Sequence, residues 1–276
     1  MTQSQKPIRP FLKWAGGKFR LLDRIKKRLP DSDKLIEPFT GSGAIFLNTD
    51  YDRYLLGDIN CDLITLYELV KNQPDEFIEY CRRWFNDKEN HSDAYYHWRQ
   101  TFNQTTDPKL RSALFLYINR HGYNGLCRYN SRGEINVPFG RYKKPYFPEQ
   151  EMYQFAEKAK KVTFVCGDYA KIMNRARRGD IVYCDPPYVP LTDSANFTSY
   201  SKQSFGLDDQ VQLAVKARHL SQRGVPVLIS NHLNGFTKEL YQHAEIEQFP
   251  VRRFISCKAS SRENVQELLA LYQTDL

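Results

Sequence analysis

The chain has 276 residues, 41% of them apolar and 26% charged, enough to bury a sizeable core as one large domain or as a domain with an insertion. No apolar run approaches the roughly 20 residues that cross a bilayer, and the opening MTQSQKPIRP lacks the apolar stretch of a secretory signal, so a cytoplasmic protein is expected. The formal net charge is +8, concentrated in two islands, which points to a polyanionic partner or else to a solvated helix face and a loop.

The first island comes first in the chain: residues 1–30 carry nine Lys and Arg against the single acid Asp23. Within it FLKWAGGK is not a nucleotide-triphosphate loop, because no glycine opens a GxxxxGK spacing and Phe19 stands where a hydroxyl would hold magnesium. Gly16 and Gly17 mark an unusual backbone or an ordinary turn, followed by a helix over about 18–29. The strand-like run 34–39 enters EPFTGSG, a turn that lets a ligand approach bare backbone, as in Rossmann-like folds. Ile45 and Phe46 follow where the dinucleotide fingerprint would place its third glycine, so a cofactor without a pyrophosphate is expected. The second run, 53–59, ends in Asp58, which could hold both hydroxyls of a ribose or simply cap the helix expected over 61–72.

About 90 residues without a core-strand pattern follow. PDEFIEYCRRWFN and KLRSALFLYINRH read as helical. GYNGLCRYNSRGEINVPFGRYKKPYF is rich in Gly, Asn and aromatics, and the second basic island, 111–145, has seven Lys and Arg against Glu134 alone. So long a stretch inside a compact domain reads as an insertion. The expected organisation is a first catalytic part over 1–60, an inserted and mainly helical recognition domain over 61–146, and a second catalytic part over 147–276. Strand runs resume at 162–168, 181–185, 225–231, 246–254 and 265–272, with helices over 207–223 and 235–243; the last run fits a strand or a helix by period and is assigned as a strand. Strand–helix alternation with continuous apolar strands predicts a doubly wound, Rossmann-like α/β sheet.

None of the six cysteines stands at CxxC spacing and the six histidines form no HxxxH pair, so no metal site is indicated. A disulfide framework is not expected in a reducing compartment, and small buried thiols are.

The fourth strand run ends in IVYCDPPYVP. Asp185 offers an acceptor, Pro186 a carbonyl with no competing N–H, Pro187 a fixed turn and Tyr188 a flat face. An exocyclic amine of a purine fits these groups: its two hydrogens point at the Asp185 carboxylate and the Pro186 carbonyl while the ring stacks on Tyr188. Drawing both hydrogens to in-plane acceptors as the nitrogen pyramidalises frees its lone pair to attack a methyl group on a sulfonium.

These motifs, with GDIN, FLYINRHGYNGLCRYN, VPFGRYKKPYFP, NFTSYS and PVLISNH, resemble those of the Dam-type DNA adenine-N6 methyltransferases of the alpha group over nearly the whole chain. The resemblance implies S-adenosylmethionine as methyl donor, adenine N6 within GATC of double-stranded DNA as acceptor, base flipping, and no metal, membrane or obligate protein partner. It places Trp14, Lys18, Phe39, Gly41, Gly43, Asp58 and Asp185 at the cofactor, with Asp168 and Tyr169 toward its adenine, and gives the catalytic role to Asp185, Pro186 and Tyr188. It implies Arg128 on guanine, Tyr123 and Asn124 probing or wedging the vacated stack, Leu126 on a thymine methyl, Pro138 in apolar contact, Arg141 assisting and Lys13 at the first guanine. The other Lys and Arg are expected on phosphates. FISCKASSRENVQ departs from the Gly-containing, more basic loop of the family, leaving Arg252, Arg253, Lys258 and Arg262 for phosphate contact there. An RNA adenine or a protein amide is the alternative acceptor, although amide methyltransferases carry Asn where Asp185 stands. A DNA-binding module without activity would leave EPFTGSG and CDPPY without a role.

Overall fold

A computed structural model describes residues 6–188, 205–252 and 264–273, and, of Arg252 and Asn264, the backbone. NFTSYS, Arg253, Cys257, Lys258 and Arg262 lie outside the described residues. Strands β1 (Lys34–Glu37), β2 (Arg53–Asp58), β3 (Val162–Cys166), β4 (Asp180–Cys184), β5 (Val227–His232), β6 (Glu245–Arg252) and β7 (Asn264–Tyr272) form one sheet in the order β3-β2-β1-β4-β5-β7-β6. The first five run parallel, and β7 lies antiparallel to both β5 and β6.

Successive strand residues face opposite sides, and both sides are apolar. Leu35, Leu56, Tyr183, Leu228 and Leu271 enter one buried cluster, while Ile36, Leu55, Val182, Ile229 and Ala270 enter the other. The C-terminal run follows the same alternation, which settles it as a strand: Leu269 and Leu271 face one layer, Leu268, Ala270 and Tyr272 the other.

A turn of 3-10 helix (Lys18–Leu21) leads into α1 (Leu22–Arg28), and α2 (Ala44–Asn48) follows β1. After β2 comes α3 (Cys61–Asn72), N-capped by the Asn60 side chain, then α4 (Pro74–Arg82), α5 (Ser92–Gln104) and α6 (Pro108–His121). Asp107 caps α6, and Pro108 opens it where no helical N–H is needed. Every residue of α6 from Ser112 to His121 is buried, so this helix is a core around which its neighbours pack rather than a surface helix. Helix α3 packs on β2, β3 and α6 alike, and a single apolar cluster runs from the sheet into α4, α5 and α6. Helix α7 (Glu149–Ala159), which has no counterpart among the expected helices, returns the chain to β3; α8 (Tyr169–Met173), α9 (Leu207–Gln222) and α10 (Gly235–Leu240) complete the order. Among the described residues no helix is long and apolar enough to cross a membrane.

Two expectations are corrected. Cys61 and Cys166, 105 residues apart, are joined by a disulfide with 5.1 Å between Cα atoms, and both are exposed. The parallel pairing of β2 and β3 sets Asp58 opposite Cys166 and so brings the start of α3 to it, a proximity that local spacing does not register. Cys81, Cys127 and Cys184 are buried free thiols, as expected. The basic islands are also partly structural. Arg111 grips Asp62 through Nε at 2.6 Å and Nη2 at 3.0 Å, Arg28 pairs with Glu245 at 2.7 Å, and Arg24 pairs with Glu247, so these three already have acidic partners within the chain.

Candidate active site

Strand order reverses between β1 and β4, since β1 has β2 on one side and β4 on the other. The carboxyl ends of strands at such a switch point form the binding crevice of open α/β sheets. EPFTGSG leaves β1 there, and Asp185–Tyr188 leaves β4 there.

The first wall is the turn after β1. Gly41 has φ +48°, and a Cβ on it would come within 2.8 Å of the Trp14 indole nitrogen, so both conformation and space require glycine. Gly43 adopts the left-handed conformation as the residue before α2. Asp58, at the end of β2, braces the turn: Oδ2 accepts Gly41 N–H and Oδ1 accepts Asn60 N–H, each at 3.0 Å. Each carboxylate oxygen keeps a second lone pair, so these bonds leave acceptor capacity toward the crevice. Phe39 stacks on Tyr169 with centroids 5.3 Å apart, and Phe205 meets both rings edge-on. Asp168 caps α8 through Ala170 N–H. Trp14, Phe39, Gly41, Gly43, Asp58, Asp168 and Tyr169 thus lie along one edge, with Tyr169 more buried than an exposed ring-stacking role requires.

The second wall is Asp185–Tyr188. Lys18, 7% exposed, sets its ammonium 2.9 Å from Asp185 Oδ1 and 4.4 Å from the centre of the Tyr188 ring. Ser230 donates to the same Oδ1 at 2.9 Å. Burial raises the Asp185 carboxyl above the usual range, opposed by the Lys18 ammonium and then by the Ser230 hydroxyl. The Tyr188 hydroxyl donates to Glu267 on β7 at 3.2 Å, and its ring meets His232 edge-on at 4.4 Å. Gln210 of α9 donates to the Pro187 carbonyl at 2.8 Å; among the described residues no donor is placed on the Pro186 carbonyl. Behind both walls Glu37 is 2% exposed, its Oε1 lacks a partner among the described residues, and burial pushes its carboxyl up to about 8.

Lys18 was assigned to the cofactor by resemblance, and the geometry sets its ammonium on Asp185. Ser230, Glu267, His232, Gln210 and Glu37 were not singled out from the sequence. Glu37, the acid inside EPFTGSG, and Ser230 and His232, inside PVLISNH, had a readable signal; Glu267 and Gln210 had none.

The residues expected to read DNA occupy an irregular hairpin after α6, held by bridges Gly122↔Phe139 and Tyr129↔Ile135. Tyr123, Asn124, Pro138 and Arg141 are exposed, and Asn124 and Arg141 have positive φ, 52° and 54°. Leu126 and Arg128 are half-buried, and Asn136 Oδ1 accepts Arg128 Nε at 2.9 Å. Lys13 reaches the same surface: its backbone N–H donates to Asn119, and its ammonium lies 3.9 Å from the Tyr142 ring centre. Gly125, at φ +63°, lies directly against the Lys13 side chain, and a Cβ there would collide with it. Burial, with the Arg120 guanidinium nearby, lowers the Lys13 ammonium below the usual lysine range.

A sheet with five parallel strands, whose order reverses where the glycine turn and Asp58 face Asp-Pro-Pro-Tyr, defines a Rossmann-like α/β fold with a crevice at its switch point. The family model of the D12 class N6 adenine-specific DNA methyltransferases matches residues 14–253. The chain is 55% identical over 268 residues to the DNA adenine methylase of Escherichia coli, covering 97% of this chain and 96% of that one. It is 56% identical to that of Serratia marcescens (97% and 100% covered) and 50% identical to that of Vibrio cholerae (98% of each). The chain belongs to the D12 class N6 adenine-specific DNA methyltransferases and is an adenine-specific DNA methyltransferase.

Proposed function

We propose that the chain transfers the methyl group of S-adenosylmethionine to adenine N6 of GATC in duplex DNA, on a base flipped out of the helix. The observation that carries this reading is the pairing of Asp185 and an uncapped Pro186 carbonyl beside the Tyr188 ring at the sheet's switch point.

The residues of the first wall fit the cofactor. The Gly41 turn packs its bare backbone on the Trp14 indole and forms one side of the crevice, the Asp58 carboxylate keeps acceptor capacity for ribose hydroxyls, and no third glycine prepares a pyrophosphate site. When bound, S-adenosylmethionine supplies an electrophilic methyl group on sulfur. Trp14, Phe39, Gly41 and Gly43 line its pocket, and Asp168 and Tyr169 border the purine end. Asp185 and the Pro186 carbonyl orient the two amine hydrogens so that the nitrogen lone pair turns out of the ring, and Tyr188 holds the ring by stacking. The Lys18 ammonium lies against Asp185 Oδ1 and over the Tyr188 ring, so it covers the face on which the base would stack and must move aside when a base enters.

N6 in a duplex is paired and stacked, which makes extrusion a physical requirement. Arg128, held by Asn136, presents a fork suited to guanine O6 and N7. Tyr123 and Asn124 stand exposed for the vacated stack, Leu126 and Pro138 offer apolar contact to a thymine methyl, and Lys13 and Arg141 flank them. The test is tritiated methyl transfer to duplexes with GATC intact or scrambled, using wild type and Asp185→Ala. Transfer confined to intact GATC and abolished in the variant, with DNA binding retained, is expected. Equal transfer to scrambled DNA would remove the GATC assignment, and near-normal turnover by the variant would remove the mechanism.

A further inference from the structure

The geometry points to Ser230 as a positioning residue that locks the Asp185 carboxylate by its Oδ1 and reserves Oδ2 for the amine to be methylated. This rests on the proposed function and assigns a task to a part of PVLISNH that the mechanism above leaves unused.

Ser230 lies on β5, 1% exposed, one step along the ladder from the Cys184↔Ile229 pair, so it sits directly across from Asp185. Oxygens at three distances lie around its single hydroxyl hydrogen, Asp185 Oδ1 at 2.9 Å, the Tyr183 hydroxyl at 3.2 Å and the Cys184 carbonyl at 3.4 Å, and the Tyr188 hydroxyl interacts with it as well. A carboxylate is the strongest acceptor among them, so Ser230 donates to Asp185. Ser230 Oγ is then the acceptor for Tyr183, whose buried hydroxyl completes a directed chain from Tyr183 through Ser230 to Asp185; bonds in such chains reinforce one another. Lys18 converges on the same Oδ1, and among the described residues no donor reaches Oδ2.

The two donors differ in permanence. Lys18 covers the face of the Tyr188 ring that the base must take and has to move aside for it. Ser230 is buried on a central strand, lies behind the carboxylate and stays. During the reaction it is therefore the donor that keeps the plane of the carboxylate fixed. The charged and titratable groups facing Asp185 are Lys18 before α1, Glu37 on β1, Tyr183 and Cys184 on β4, and Tyr188, itself held by Glu267 on β7. Of these only Lys18 acts with Ser230 to favour the ionised form of Asp185.

The experiment compares wild type, Ser230→Ala, Ser230→Thr and Tyr183→Phe in steady-state methylation of a GATC duplex across pH, with thermal melting of each variant. In Ser230→Ala, kcat is expected to fall roughly 10- to 100-fold, the scale of a misplaced reacting group, with KM for DNA and methyl donor changed by less than about threefold. Loss of the donor raises the Asp185 carboxyl further, so the acid limb of kcat moves to higher pH. Ser230→Thr, which keeps the hydroxyl, restores both. Tyr183→Phe removes only the donor behind Ser230 and shows a smaller loss with the same direction of shift, which serves if Ser230→Ala does not fold. A Ser230→Ala enzyme with kcat within about twofold of wild type, or reduced kcat with an unmoved acid limb, overturns the assignment. If wild type itself transfers no methyl group to duplex DNA, the functional reading fails rather than the role of Ser230.

Discussion

Replacing Glu37 by Gln should make the protein more stable at alkaline pH, with an advantage that grows as pH rises. Glu37 is buried behind the Asp185 wall, lacks a partner on Oε1 among the described residues, and has its carboxyl raised from 4.5 to about 8. Burial is the main cause, Asp185 adds to it, and the Phe46 backbone N–H opposes it. A folded value above the unfolded one means that stability is fully present below about 4.5 and is lost as pH rises toward 8. At about 1.4 kcal/mol per pH unit, the span from 4.5 to about 8 amounts to roughly 5 kcal/mol lost at the alkaline end. Gln keeps the shape and the acceptor for Phe46 but cannot ionise, and its extra amide donor inherits the unpaired position. With that offset, about 1–3 kcal/mol at either pH, the variant should exceed wild type by about 2–4 kcal/mol near pH 8 and fall level with it or below it by up to about 2 kcal/mol near pH 5. Urea denaturation at the two pH values measures the difference. A gap of the same size at both, or a wild-type stability that does not decline across this range, would refute the account of Glu37 as a neutral buried acid.

Two arginines of the same basic island should behave oppositely. Arg111→Ala breaks the two-point pair with Asp62 and should destabilise the fold by about 2–4 kcal/mol while leaving the salt dependence of DNA binding unchanged, as read by denaturation and fluorescence titration. Arg128→Ala should leave stability nearly unchanged and remove about 1–3 kcal/mol of discrimination between GATC and substituted sites in competition binding. Reduction of Cys61–Cys166 opens a loop of about a hundred residues and should lower stability by about 2–5 kcal/mol; melting with and without a thiol reductant checks it, and a Cys61→Ser/Cys166→Ser double variant should melt identically under both conditions.

The sheet was legible because its strands are short, apolar on both faces and separated by glycine-bearing turns, so that 34–39, 53–59, 162–168 and 181–185 fall on β1 to β4. The C-terminal run was legible only up to its period. Its antiparallel partners β5 and β6 decide the outcome, and pairing is not a local property. The site divides in the same way. Gly41, Asp58 and Asp185 announce themselves because each combines an unusual residue with the end of a strand. Ser230 does so only as part of PVLISNH and Glu267 not at all, since a serine and a glutamate are unremarkable until the sheet carries them 45 and 79 residues back to Asp185 and Tyr188. Arg111 and Arg128 look alike in sequence; only the position of Asp62, in the first turn of α3, separates an internal clasp from a half-buried fork on the hairpin after α6.

The start of α3 touches both halves of the molecule's task. Asn60 donates its backbone N–H to Asp58 and sets its amide 3.7 Å from the Cys127 sulfur, while Asp62 holds the Tyr129 hydroxyl at 2.7 Å. One short segment thus braces the acid at the crevice and the base of the hairpin after α6. Where binding at one site changes affinity at another, the coupling is symmetric. If occupancy of the crevice tightens the grip on a DNA sequence by some factor, the correct sequence must tighten the crevice by the same factor. The order in which the two ligands arrive then alters the path to the ternary complex and leaves its depth unchanged.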